Sequence, residues 1–179
     1  MKATHCLLLC LVLALQGLGA QKAEARPDAA MDAALHAFAG GFATFTVRSR
    51  DTLQRVAGES FGDPKAWPFV WYFNRERIPD PDRVARGTVL QIPVVAADLD
   101  ARAKAELFDT VYRFAYRAYR ANKKWSDGQR RWVLQQAHEA GVDVLGLSWN
   151  VELVPHDRAW LALRSGKADT ATNTLGTLI

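Results

Sequence analysis

The chain has 179 residues, 49% of them hydrophobic and 23% charged, and a formal net charge of +4. That charge is too mild to argue for nucleic acid as a partner. The two cysteines, Cys6 and Cys10, both lie at the extreme N-terminus, so a thiol nucleophile, a cysteine metal site and a disulfide framework are excluded for the rest of the chain.

Residues 1–25 read as a secretory signal. Lys2 supplies a weak positive start, and Cys6 to Leu15 is an apolar run shorter than the roughly twenty residues a membrane span needs. Gly17 to Ala25 is rich in small residues. Ala23-Glu24-Ala25 fits the small-x-small cleavage rule, and a cut after Ala20 is the alternative. Two other readings stay open: a retained anchor, and a lipoprotein acylated at Cys10. The second is opposed by Leu9, which is larger than the small residue that normally precedes a lipidated cysteine. Cleavage after Ala25 removes Lys2, Lys22 and Glu24 and lowers the charge to about +3. It leaves about 155 residues, enough for one ordinary core or for a small module plus a helical domain. The expected location is the periplasm or cell envelope.

Residues 26–43 are alanine-rich and read as a linker. A short helix fits between Pro27 and the Gly40-Gly41 hinge. Residues 44–94 carry the densest signals. FTVR alternates as a strand, and Asp51-Thr52 stands where a helix is capped, with Asp51 the expected N-cap. Leu53, Val56, Ala57 and Phe61 follow at helical spacing. A second helix begins after Gly62-Asp63-Pro64 and runs through Trp67, Val70 and Phe73. A turn at Arg86-Gly87-Thr88 leads into a second strand, VLQIP.

The order strand-helix-helix-strand, with its punctuation, resembles the lysin motif (LysM) family. The matching pieces are F-T-V-x-S-x-D-T-L (Phe45 to Leu53), Val56-Ala57, F-G-D-P (Phe61 to Pro64), Trp67-Pro68, Asn74-Arg75, Ile78, Asp80-Pro81 and G-x-V-L-x-I-P (Gly87 to Pro93). They span under a third of the chain. The resemblance implies an α+β fold in which a two-stranded antiparallel sheet packs on two helices. It also implies non-catalytic binding of N-acetylglucosamine-containing glycan, peptidoglycan or chitin, with no cofactor. The family's sugar site is a shallow groove between two loops. Carried over residue by residue, the first loop is Ser49, Arg50, Asp51, Thr52 and Leu53. The second includes Asn74, Ile78, Pro79 and Asp80. Exposed backbone amides and carbonyls would pair with the acetamido group while Leu53 and Ile78 offer apolar surface. One residue departs from the family pattern: Arg50 stands where a glycine usually precedes Asp-Thr. A positive φ there would strain a non-glycine residue. Arg50 would otherwise place a cation at the groove rim, and the groove would then either pair with peptide carboxylates of peptidoglycan or lose sugar binding. Loss of binding would make the chain an interaction scaffold with a LysM-like fold.

Phe69, Trp71, Tyr72 and Phe73 exceed what a module this small can bury. They serve either as a sugar platform or as a docking face, with Phe69 and Tyr72 against the C-terminal helices. Residues 98–165 read as helical: Asp98 caps a long helix to about Lys123, Ser126 caps a second that stops at Gly141, and a third follows Pro155. Tyr112, Tyr116 and Tyr119 form one helical stripe. Seven cations lie between Arg113 and Arg131: Arg113, Arg117, Arg120, Lys123, Lys124, Arg130 and Arg131, with Asp127 the one acid. They form either a patch for an anionic polymer, phospholipid or protein partner, or a solvated face beside a tyrosine packing seam. His36, His138 and His156 are far apart and fit no zinc or cysteine-peptidase pattern. Glu139 and Glu152 are isolated, whereas a cell-wall glycosidase needs paired carboxylates in a cleft. An enzyme is therefore not expected. Residues 166–179 are small and polar and read as a flexible tail.

Overall fold

The computed structural model describes residues 26–95, 99–121 and 126–166. The expected signal (1–25), the tail beyond 166, Asp98, Lys123 and Lys124 lie outside them. The chain divides into two compact units, Met1–Ala34 and Leu35–Ile179. The described part of the first is residues 26–34 of helix α1 (Arg26–Ala37). The sheet and the remaining helices belong to the second.

The second unit is α+β. Strand β1 (Phe42–Thr46) pairs antiparallel with β2 (Val89–Pro93) in the register Phe42↔Pro93 to Thr46↔Val89. Backbone bonds extend the ladder at both ends, from Gly40 N–H to the Val94 carbonyl (2.9 Å) and from Val47 N–H to that of Thr88 (2.9 Å). The strand therefore begins before Thr44, the expected edge of the module. Period-two alternation turns Leu90 and Ile92 inward and leaves Val89 and Gln91 outside.

Helix α2 (Leu53–Phe61) buries Leu53, Val56 and Ala57 and ends at Gly62, whose φ of 71° suits glycine. Its N-cap is Thr52, not Asp51. The Thr52 hydroxyl accepts from Arg55 N–H (3.2 Å), while the Asp51 carboxylate turns back to accept from Arg48 N–H (2.7 Å). A 3-10 turn (Pro64–Ala66), capped by Asp63, precedes helix α3 (Trp67–Asn74). Seven of the eight α3 residues are buried. Asn74 locks the helix to β2: its side-chain N–H groups donate to the Val70 and Gln91 carbonyls (2.8 and 2.7 Å), and its oxygen accepts from Gln91 N–H (2.8 Å).

Helix α4 (Ala101–Ala121) supplies the cover that α3 needs. Asp100 caps it, accepting from Ala103 N–H at 2.7 Å. The Trp71 ring meets Phe114 (5.1 Å) and Tyr119 (5.9 Å), Tyr72 meets Phe114 (4.9 Å), and Trp67 meets Tyr112 edge-on (6.4 Å). Phe69 is buried beside Phe61 and Phe73. Tyr112, Tyr116 and Tyr119 are fully buried. Burial pushes the Tyr116 phenol up to about 12 and also raises Tyr112 and Tyr119.

Helix α5 (Asp127–Glu139) opens on a capping box between Ser126 and Gln129, and Gly141 follows its last turn at a φ of 86°. Helix α6 (Pro155–Arg164) places Asp157 in its first turn, where it is wholly buried. The Asp157 carboxylate accepts from Arg130 (3.0 Å), Arg131 (3.2 Å) and the Tyr116 hydroxyl (3.0 Å), and so ties α4, α5 and α6 together. Burial alone would push this carboxyl up. Hydrogen bonds from Arg130 and Tyr116 outweigh that and hold it below its ordinary range. Glu152 is likewise held low, by hydrogen bonds from Arg117 against the opposing effect of burial.

Both carboxylates have folded-state pKa values below their unfolded ones. Their contribution is therefore present above about pH 4 and is lost as the pH falls further. Denaturant titrations at stepped pH should show stability dropping below about pH 4. Asp157→Ala should cost about 3–5 kcal/mol at neutral pH, because it leaves Arg130 buried without its main partner, and it should flatten that acid limb.

Candidate functional site

Two loops flank the open end of the strand pair. The first, residues 47–52, is a tight turn. Asp51 N–H reaches the Arg48 carbonyl (3.3 Å) while the Asp51 carboxylate accepts from Arg48 N–H. Closing the turn this way puts Arg50 at a φ of 69°, in the left-handed region that favours glycine. It is the one non-glycine residue with positive φ among the described residues. The Asp51 side chain is almost completely enclosed; its Oδ1 accepts no hydrogen bond and lies 3.5 Å from Arg55 Nε.

The second loop runs from Asn74 to β2. It turns at once, with Arg77 and Ile78 N–H groups on the Asn74 carbonyl (2.9 and 2.8 Å) and Trp71 Nε1 donating to the Ile78 carbonyl (2.8 Å). The Asp80 carboxylate then accepts from Asp82 N–H (3.0 Å). The C-terminal helices hold Asp82 from the far side: Tyr119 donates its hydroxyl (3.2 Å) and Gln129 its amide (2.8 Å).

Between the loops lies a cleft of about 530 Å³, lined by Asp51, Thr52 and Gln54 from one side and Pro81, Asp82 and Val84 from the other. The N-terminal turns of α5 form a third wall through Ser126, Gly128, Gln129 and Trp132. Of the residues expected here, Asp51 and Thr52 line the cleft. Ser49, Arg50 and Pro79 are exposed outside its lining, and Asp80 shapes the second loop from behind. Leu53 (0% exposed) and Ile78 (3%) do not offer their side chains to a ligand, because both complete the core under the loops. The Asn74 side chain is buried as well, committed to β2. Gln54, Asp82 and Val84 extend the site one step beyond the family-matched residues, and Pro81, matched in the pattern but not among the expected groove residues, joins them. Ser126, Gln129 and Trp132 are brought in by tertiary packing, which leaves no mark in local spacing.

The basic run is not a free patch where it is described. Arg113 pairs with Asp109 (2.8 Å) and lies over the Trp149 ring, while Arg117 binds the Glu152 carboxylate. Arg120 donates to the Glu152 carbonyl (2.6 Å), and Arg130 and Arg131 serve Asp157. Each spends its charge on an acid or carbonyl within the fold, which leaves less for an external anion. No group of three His, Cys, Asp or Glu suited to a metal occurs among the described residues, and none of their helices is long and apolar enough to cross a membrane.

The left-handed strain at Arg50 gives a direct expectation. Arg50→Gly should raise stability by about 1 kcal/mol, the left-handed cost relieved less the extra chain entropy of glycine. Paired chemical denaturation of the two proteins measures it.

Comparison of the chain with protein-family models, with curated proteins and with solved structures gave no match.

Proposed function

We propose that residues 42–94 are a LysM-like module and that the chain is an exported, non-catalytic binder of N-acetylglucosamine-containing glycan, tethered to the cell wall through the cleft between its two loops. The observation that carries this reading is the pairing of fold and cleft. Two antiparallel strands flank two helices along the chain, and the loops that correspond to the family's sugar loops flank one cleft. The burial of Leu53, Asn74 and Ile78 leaves backbone groups and a few polar side chains as the means of recognition. That suits an acetamido sugar, which offers its own amide N–H and carbonyl. Few contacts in one copy imply weak affinity for short oligomers, about micromolar to millimolar.

A second reading is a scaffold whose LysM-like fold no longer binds sugar. The exposed Arg50 and the inward Leu53 and Ile78 favour it, since they remove the apolar contacts expected of the groove.

Titration of labelled protein with a chitin pentamer, followed by NMR, separates the two. Saturable shifts at residues 51–54 and 80–84, together with sedimentation on purified peptidoglycan sacculi, are expected. Arg50→Gly should bind at least as tightly as the parent, because it relaxes the loop without removing a lining group. Absence of any saturable response at about millimolar sugar in both proteins would establish the scaffold instead.

A further inference from the structure

We infer that Trp132 is a sugar-stacking platform, and that helix α5 makes the cleft a three-walled site to which the C-terminal region contributes directly. The inference rests on the glycan reading of the cleft and adds to it a residue that the strand-flanked module does not contain.

Three indoles lie in a row. Trp71 stacks on Trp67 (6.1 Å between centroids, 27° between planes), and Trp67 stacks on Trp132 (5.6 Å, 28°). The first two are buried, at 3% and 1% exposure. Trp132, the last of the row, is partly exposed and lines the cleft. Stacking on Trp67 fixes its plane, so little side-chain freedom remains to be lost when a ligand arrives. Around it stand the amides of Gln54 and Gln129, the hydroxyls of Thr52 and Ser126, and Asp82. A rigid aromatic surface surrounded by amides, hydroxyls and a carboxylate complements a pyranose ring, whose C–H face is apolar and whose rim carries hydroxyls. The charged residues of the lining, Asp51 and Asp82, are both acids, so an uncharged ring is favoured over a carboxylated one. Gln129 also donates to Asp82, so α5 sets the position of the second loop while presenting its own tryptophan.

The test is titration of the full chain with a chitin pentamer while the indole N–H signal of Trp132 is followed, that signal being identified by its loss in Trp132→Phe. The expected result is a saturable shift of the indole signal in step with those of residues 51–54. Trp132→Ala should weaken binding about tenfold, with Trp132→Phe between it and the parent. Trp132→Phe keeps a ring against Trp67, and the indole shift needs no variant, so a folding defect in Trp132→Ala does not decide the matter. If the parent binds with the Trp132 signal unmoved and Trp132→Phe and Trp132→Ala bind as tightly, the platform is wrong and the glycan reading stands. If the parent shows no saturable response at about millimolar sugar, the glycan reading fails and the platform fails with it.

Discussion

Helix α3 reads WPFVWYFN and has no solvent face, since seven of its eight residues are buried. The sheet and α2 cover one side of it, and two short strands with one further helix are too small to cover the rest. That mismatch forces the aromatic seam with α4. The ring contacts of Trp67, Trp71 and Tyr72 with Tyr112, Phe114 and Tyr119 contribute about 0.5–1.5 kcal/mol each beyond their area. Deleting a single buried indole there costs about 3–5 kcal/mol. The seam joins α4 to the strand-flanked half, and α5 adds direct contacts of its own, Trp132 on Trp67 and Gln129 on Asp82.

The same seam builds the cleft. Tyr119 is a core residue of α4, yet its hydroxyl reaches out to Asp82 of the second loop. Burial raises its pKa, with the Asp82 charge adding to the effect, so it stays a neutral donor at any physiological pH. Gln129 holds the other oxygen of Asp82 while its capping box fixes the start of α5. The loop is thus pinned by groups from two helices. On the opposite side, Asp51 closes the first loop on Arg48 and leaves Arg50 strained. One loop is fixed from outside the strand-flanked half and the other by its own carboxylate.

Much of the fold was legible in the sequence because its signals are local. Both strands, the Ser126 cap, the Gly141 stop and the helix after Pro155 follow from alternation, capping chemistry and the conformations open to glycine and proline. The N-cap of α2 was misread by one residue, since Asp and Thr both cap well and the choice was made by where the Asp51 carboxylate found a donor. The site was less legible. Leu53 and Ile78 were expected in the groove by family resemblance, but both turn inward: Leu53 opens α2 on its buried face, and Ile78 completes the core under the second loop. Asp82, Gln129 and Trp132 meet across 47 or more residues of chain, as the Asp82–Gln129 bond does, and no local pattern predicts such a meeting. The cations at Arg117, Arg130 and Arg131 looked like a patch because their acids, Glu152 and Asp157, lie far along the chain.

Native-state hydrogen exchange on the full chain tests most directly whether the seam makes the strand-flanked half and the C-terminal helices one cooperative body. The buried amides of α3, β2 and α4 should open with the same free energy, equal to that of global unfolding, and should respond to denaturant with the same slope. If α4 to α6 open at markedly lower free energy while the strands and α3 stay protected, the seam is not what holds the structure together.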